Sequence, residues 1–272
     1  MQVRKGISQG LIPGPTMLTA GRIIAPFGGQ FAMQPDKPAL GQPEYFYADT
    51  RDDMVRGVRE NAHYGATVIK IVVDDQRYIY SVDDIRFIKA EAARAGLKLA
   101  AHAWTAQGAH NAAEAGVDSI EHGIDMSDAD LAVAKKNGVA LVGTEFLALG
   151  YGGPEFHQMV VDRLKRAYKI GVTLVYGTDA IDRVAGKTRG EVAMTGIDVW
   201  AEAGVPAPAI LKSMTTEAHR LLGIDKQRGA IRAGLAADLI ATAGDPLANI
   251  VALKKVTFVM KDGRVVRGAT AR

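Results

Sequence analysis

Apolar runs alternate with amphipathic segments along most of the chain. Between residues 97 and 123, two apolar runs, LKLAAH and VDSIEH, end in His102 and His122 and enclose the small-residue segment AQGAHNAAEA. Thr105 is suited to cap the start of a helix, and Gly116 is suited to end it in a left-handed conformation. The pattern predicts strand, helix and strand, with enough chain between the histidines for a parallel crossover.

The same alternation continues on both sides of this stretch. Residues 21–49 lack sustained periodicity and are predicted to form a lid, a binding loop or a disordered connection. Further strands are predicted at PTMLTAG from Pro15, over Thr67–Val73, from Val139 and from Val172. Helices are predicted over residues 3–9, from Thr50 to about His63, from Ser81 to Gly96, from Ser127 to Asn137, around LKRAYKI and after Pro206.

This rhythm predicts the fold class and its division. Six strands alternating with helices indicate an α/β protein with a parallel barrel. From Gly229 the pattern changes to short strands, and Asp262-Gly263 is a hairpin signal. We therefore predict an incomplete (β/α) barrel of about six βα units over residues 1–228 and a small antiparallel β lobe over residues 229–272.

Composition narrows the classes of function. The 272 residues are 48% hydrophobic and 23% charged, which is typical of a folded domain with a sizeable core. The net charge of +3, without a basic run interleaved with aromatic residues, argues against a nucleic-acid partner. No apolar run is long enough to cross a bilayer, and the first residues lack a signal-peptide core. We expect no membrane partner and a cytoplasmic location, unless a longer precursor carries a signal peptide.

Four chemically versatile residues fall within or at the end of predicted strands: Lys70, His102, His122 and Asp179. Parallel strands would bring them to one barrel mouth, the face where barrel enzymes place catalysis. Two imidazoles and a carboxylate are suitable ligands for a divalent metal such as zinc. Asp179 could also take a proton from a metal-bound water. Zero cysteines exclude thiolate ligands and disulfides.

Each of these residues also has a structural interpretation. Lys70, inside VIKIVV, could pair with Asp74, Asp75 or Asp179; alternatively, desolvation could favour its neutral amine, which can take up carbon dioxide as a carbamate. Either histidine alone could be a satisfied core residue, and Asp179 could cap a turn. The four residues together favour the metal site.

Other polar residues have weaker assignments. Tyr78, Tyr80 and Arg189 each follow a strand at the expected mouth, so we predict that they contact substrate, with surface residues as the alternative. The remaining histidines fall on predicted helices and are interpreted as structural or surface residues: His63, His110, His157 and His219.

The chain resembles the metal-dependent amidohydrolase superfamily, in its imidazolonepropionase-like and Xaa-Pro dipeptidase-like branch. The matching segments follow the family order: GLIPGP at Gly10, VIKI at Val68, AAHAW at Ala100, SIEHG at Ser119, YGTDA at Tyr176, and GAIRAGLAADLIATAGDPLANI followed by VTFVMKDGRVVRG. The resemblance implies a TIM-barrel-like amidohydrolase fold that hydrolyses an amide, peptide or lactam C–N bond of a small molecule or dipeptide through a metal-activated water.

The resemblance also implies roles for the four strand residues. Lys70 would be a carboxylated lysine that bridges metals, with zinc as the expected ion and carbon dioxide as the source of the carbamate. His102 and His122 would bind one metal. Asp179 would bind the other metal and carry the proton.

One departure from the family pattern changes the expected barrel. The family carries a His-x-His pair at the end of its first barrel strand, and no two histidines here are two positions apart. The resemblance begins before the third strand, so we expect an N-terminally truncated barrel. Its two strand edges would be covered by the loop from Phe27 to Tyr47 or by another chain, which predicts a homo-oligomer or a complex with a separate chain. Two alternatives remain: a non-catalytic truncated scaffold or binding protein, and a sugar- or phosphate-binding barrel without metal.

Overall fold

The computed structural model describes residues 1–30, 37–145, 153–181 and 183–268. The chain forms two compact units, Met1–Leu141 and Val142–Arg272. The boundary expected from the sequence, between residues 228 and 229, stays a prediction.

The first unit alternates short parallel strands with helices. Its strands are β1 (Ile23–Ala25), β2 (Tyr45–Tyr47), β3 (Ile69–Val72), β4 (Leu99–Ala103), β5 (Ser119–His122) and β6 (Ala140–Val142), the last of which reaches the boundary between the units. Its helices are α1 (Gln2–Ser8), α2 (Arg51–His63), α3 (Val82–Arg94), α4 (Ala106–Ala115) and α5 (Asp128–Lys136), with a short 3-10 helix at Pro38–Leu40.

These strands lie side by side in the order β2-β1-β3-β4-β5-β6. The pairs β1–β2, β1–β3, β3–β4 and β4–β5 are all parallel. Parallel strands buried on both faces are typical of α/β proteins, and the core agrees, since Ile24, Ile71, Leu99 and Ile120 are all 0% exposed. The predicted α/β class with a parallel sheet is confirmed.

Local capping explains why the helices of this unit begin where the sequence predicts. Thr50, Ser81, Thr105 and Ser127 each accept a hydrogen bond from the backbone N–H three residues later. Such side-chain caps satisfy donors that a helix start would otherwise leave unpaired. Gly116 ends α4 with a φ of 69°, as predicted.

The region before α2 differs from its prediction. The segment PTMLTAG forms no strand, and the residues that follow it, 21–49, expected to be a loop, contain β1 and β2 instead. Both strands have only three residues, too few for a periodic pattern to emerge. Residues 31–36 of the expected loop lie outside the described residues. Strand β2 therefore occupies one edge of this sheet, which the loop was expected to cover.

The second unit combines helices with a small antiparallel sheet. Its helices are α6 (Gly153–Ile170), α7 (Arg189–Ala193), α8 (Gly196–Glu202), α9 (Ala207–Met214) and α10 (Thr216–Leu221), with a 3-10 helix at Ile250–Lys254. Its strands are β7 (Thr173–Leu174), β8 (Leu239–Thr242), β9 (Val256–Lys261) and β10 (Arg264–Arg267). The helix predicted after Pro206 is divided at Thr215, whose φ and ψ of −125° and −93° are not helical.

The antiparallel sheet confirms the expected character of the C-terminal segment. Its strands follow the order β10-β9-β8, and both pairings are antiparallel. Asp262 and Gly263 join β9 to β10 with φ values of 48° and 77°. Two successive positive φ angles are what a tight two-residue hairpin requires. Across the described part of the chain, no helix has the length and apolar character needed to cross a membrane.

Candidate active site

The strand register brings two of the predicted metal ligands to one face of the sheet. Lys70 pairs with Ala100, and Val72 pairs with His102. Because side chains alternate along a strand, Lys70 and His102 face the same side of the sheet. His102 is 3% exposed and Lys70 is half-buried. The two residues thus lie on neighbouring strands, with His102 nearer the carboxyl end.

The imidazoles of His102 and His122 contact each other. Their ring centroids lie 4.6 Å apart with an interplanar angle of 68°. By register alone, His122 is level with Ala103 and would face away from His102. However, its φ of 70° takes the last residue of β5 out of the extended conformation, and the two rings meet. Trp104 packs beside both, with ring centroids 6.5 Å from His102 and 5.5 Å from His122.

Asp74 anchors the turn that follows His102. Its carboxylate is 0% exposed and accepts hydrogen bonds from the Trp104 N–H (2.9 Å), the Thr105 N–H (2.7 Å) and the Thr105 hydroxyl (2.8 Å). Hydrogen bonds to an ionised acceptor are among the stronger ones in proteins. Gly108 packs directly on this carboxylate, since a Cβ at that position would lie 2.0 Å from Oδ2. Asp74 therefore fixes the backbone immediately after His102.

Asp75 contacts the His102 ring itself. Its Oδ2 lies 2.7 Å from His102 Nε2 and also accepts a hydrogen bond of 3.1 Å from Gln30 Nε2. Burial would raise the pKa of Asp75, but the hydrogen bond and charge of His102, together with the Gln30 amide, outweigh burial and lower this pKa below its ordinary value. Asp75 is therefore an anionic acceptor held against the imidazole.

The donor chemistry fits a divalent cation. One ligand atom each from Asp74, Asp75 and His102 lies within 4.8 Å of the others, and the His122 ring adjoins that of His102. Imidazole nitrogen and carboxylate oxygen are both ligands of zinc and related ions. Asp74, however, already accepts three hydrogen bonds from the backbone and hydroxyl that it anchors. We infer that the imidazole nitrogens are better metal ligands than the Asp74 carboxylate.

Unusual backbone conformations concentrate at the strand ends. Five non-glycine residues among those described have a positive φ, and one of them, Asp262, belongs to the hairpin. The other four lie at or just after the carboxyl ends of β3, β5, β6 and β7: Asp75, His122, Thr144 and Asp179. Such conformations are costly and often mark functional positions. In the first unit, Asp75 and His122 are thus marked as functional candidates at the carboxyl ends of their strands.

The two tyrosines have different environments. Tyr78 is 54% exposed, whereas Tyr80 is 0% exposed and its hydroxyl donates to the Ala48 carbonyl at 2.6 Å. Burial, with the charges of Asp49 and Asp84, raises the pKa of Tyr80. This placement favours a structural role for Tyr80. A substrate contact by either tyrosine stays a prediction.

Asp179 and Arg189 belong to the second unit. Asp179 is exposed, lies a few residues after β7 and has a φ of 48°. Arg189 is the exposed first residue of α7, behind a capping box formed by Thr188 and Glu191. Their expected roles, in metal binding and proton transfer for Asp179 and in substrate binding for Arg189, stay predictions.

The four remaining histidines lie on helices, as predicted. His63 is exposed near the end of α2. His110 contacts Asp130, His157 contacts Glu202, and His219 contacts the Thr215 carbonyl oxygen at 2.8, 2.8 and 2.6 Å. These contacts give three of the four a structural partner.

Sequence reasoning missed four residues of this site. From the sequence, Asp74 and Asp75 are predicted only as possible partners of Lys70, although two acids directly after a buried strand are a usable signal for a site. Gln30 lies in a segment without periodicity and gave no signal. Trp104 was part of a matching segment but received no role.

Comparison with known proteins decides the family. The amidohydrolase family matches residues 3–266. The chain belongs to the amidohydrolase family. The chain is 28% identical to the ochratoxinase of Aspergillus niger. The aligned region covers 98% of this chain and 63% of the ochratoxinase. This amidohydrolase thus spans about 63% of the length of that curated relative.

Solved structures agree with the fold and branch. A Xaa-Pro dipeptidase with methionine bound in its active site superposes with a TM-score of 0.83 and 28% identity, covering 98% of this chain and 72% of that one. The A. niger ochratoxinase structure gives a TM-score of 0.83 and 26% identity over 98% and 69% of the two chains. The TIM-barrel-like amidohydrolase fold and the Xaa-Pro dipeptidase-like branch predicted from sequence are confirmed.

Proposed function

We propose that this amidohydrolase is a metal-dependent hydrolase of amide, peptide or lactam C–N bonds. The observation that carries the proposal is the pair of buried imidazoles, His102 and His122, 4.6 Å apart at the ends of adjacent strands. Family membership supports it, since amidohydrolases generally bind divalent metal.

In this proposal His102 and His122 hold the ion, with zinc as the expected metal. A bound divalent cation would polarise the scissile carbonyl and lower the pKa of a water molecule. The chain itself supplies orientation. Asp75 holds the Nε2 edge of His102, and Asp74 fixes the backbone that follows it. Ligand-orienting groups of this kind commonly determine metal affinity.

Lys70 and Asp179 complete the proposed assignment. Lys70, half-buried on the same face as His102, would react as a neutral amine with carbon dioxide, forming an N–C bond and releasing a proton to give the carbamate. The carbamate oxygens would then serve as ligands. Asp179, in the GTD segment, would accept the proton of the attacking water and pass it to the leaving nitrogen.

Elemental analysis of protein prepared with zinc and bicarbonate tests this function. We expect stoichiometric metal in the wild type and its loss in the double variant His102→Ala plus His122→Ala. The matched control, His63→Ala plus His157→Ala, removes two helical histidines and should retain the metal. No metal in the wild type would reject the catalytic proposal and support the non-catalytic scaffold.

The names of the relatives define a substrate panel. Xaa-Pro dipeptides and ochratoxin are the first substrates to test, followed by other dipeptides and lactams. We expect Asp179→Asn to lose most turnover, because it removes the proposed proton acceptor and a proposed ligand of the second metal, and to retain the metal held by His102 and His122. Wild-type turnover in this variant would exclude that role.

A further inference from the structure

Gln30 connects three residues at the candidate site. Its Oε1 accepts a hydrogen bond of 3.0 Å from the Tyr45 hydroxyl, and its Nε2 donates to Asp75 Oδ2 at 3.1 Å. The same Nε2 lies 3.3 Å from Nδ1 and 3.4 Å from Nε2 of His102. Because the ionised carboxylate of Asp75 can only accept, the NH2 group of Gln30 is the end that faces the acid and the imidazole, and its amide oxygen accepts from Tyr45.

Local sequence explains how Gln30 reaches this position. Gly28 and Gly29 have φ values of 98° and 61°. A Cβ on Gly29 would lie 2.7 Å from the Tyr45 ring, so the backbone before Gln30 is pressed against that ring. Tyr45 is 2% exposed. Burial, with the nearby carboxylates of Glu44 and Asp75, raises its pKa to about 12, so its hydroxyl remains a donor at neutral pH.

The amide nitrogen of Gln30 lies over the face of the His102 ring. An atom in the ring plane at these nearly equal distances from both nitrogens would overlap Cε1, which lies between them. The nitrogen must therefore lie above the plane. Gln30 consequently packs on the ring and leaves the in-plane direction of each nitrogen open to other partners.

Asp75 determines which ring nitrogen carries the proton. Its Oδ2 is 2.7 Å from His102 Nε2, and an ionised carboxylate can only accept, so Nε2 is the donor. In a neutral imidazole the lone pair then resides on Nδ1. The Nδ1 atom is therefore the nitrogen that can bind a cation.

We propose that Gln30 is a positioning residue that, together with Tyr45 and Asp75, holds the His102 ring with Nε2 protonated and Nδ1 directed toward a ligand. We call Tyr45, Gln30 and Asp75 the imidazole clamp. This inference deepens the proposed function and rests on it for the identity of the ligand, a divalent cation. The orientation of His102 is a property of the metal-free chain and can be measured alone.

The first experiment measures the tautomer of His102 without metal. A two-bond proton–nitrogen correlation spectrum of protein with 15N-labelled histidine distinguishes protonated from unprotonated ring nitrogens, and His102→Ala assigns the signals. We expect protonated Nε2 and unprotonated Nδ1 in the wild type. In Gln30→Leu and Tyr45→Phe, both signals should move toward those of a mobile imidazole. Unchanged signals in both variants would overturn the clamp.

The second experiment measures zinc affinity by competition with a chromogenic chelator. We expect Gln30→Leu and Tyr45→Phe to bind zinc about 10- to 100-fold more weakly, as for other residues that orient a metal ligand. Tyr47→Phe, which removes a hydroxyl from the same strand, should stay within about twofold of wild type. Tyr45→Phe loses only one oxygen and remains informative if Gln30→Leu does not fold.

The outcomes separate the two proposals. Wild-type zinc affinity in both clamp variants would overturn the clamp and leave the proposed function standing. Absence of zinc binding in the wild type would reject the proposed function, and the tautomer spectrum would then decide the clamp by itself.

Discussion

His102 and His122 show how single residues acquire a joint role. Each lies where the sequence predicts, at the end of a strand. Their contact depends on the φ of 70° at His122, which no periodic pattern encodes. Likewise, Asp74 and Asp75 are adjacent in sequence but bind different groups, the backbone after His102 and the His102 ring. At this scale the sequence identifies the candidates, and the backbone conformation determines their partners.

Tyr80→Phe distinguishes a structural tyrosine from a substrate contact. The variant leaves the buried Ala48 carbonyl without its donor, which should lower the free energy of unfolding by about 1 to 3 kcal/mol. Urea denaturation measures this change. The control Tyr78→Phe alters an exposed residue and should stay within about 0.5 kcal/mol. Unchanged stability with a raised KM in Tyr80→Phe would favour the substrate contact instead.

Local caps fix where the helices of the first unit begin, and one of these caps should make the stability of the protein depend on pH. In α5, Ser127 and Asp130 form a reciprocal capping box, and Asp130 also contacts His110 on α4. Burial alone would raise the pKa of Asp130. The hydrogen bonds with Ser127 and His110 outweigh burial, so this pKa lies below its ordinary value. Asp130 therefore joins two neighbouring helices.

We expect Asp130→Asn to destabilise the protein by about 1 to 2 kcal/mol at pH 7. Because the folded-state pKa is lowered, this stabilisation is present above the unfolded value near 3.9 and disappears as the pH falls through the folded value. Urea denaturation of variant and wild type from pH 6 to 3 measures the difference. Asp128→Asn, in the same helical turn, is the control. A difference that stays constant down to pH 3 would contradict the assignment.

The short strands β1 and β2 could not be predicted from the pattern of apolar and polar residues. Each has three residues, and both lie in a segment rich in glycine and proline. They form strands because β1 pairs with β3, while β2 adds to β1 at the edge of the sheet. That pairing is a non-local property. It also brings Gln30, just after β1, to the site.

For the whole molecule, the edge strand β2 leads to a prediction about assembly. An edge strand presents backbone groups that can pair with another chain. We expect the protein to self-associate, so that light scattering coupled to size exclusion gives a multiple of the 28.9 kDa chain mass. Dilution should lower the measured mass. A monomer mass at every concentration would refute self-association.

The sequence alone determined the α/β class, most helix boundaries, the antiparallel C-terminal segment, the family and the placement of Lys70, His102 and His122 on neighbouring strands. These depend on short-range rules: apolar periodicity, side-chain caps, turn residues and motif spacing. Only the tertiary structure decided the contact between the imidazoles, the strands β1 and β2, the burial of Tyr80 and the clamp formed by Tyr45, Gln30 and Asp75. Those features join residues distant along the chain, and their geometry depends on strand register and on single backbone angles.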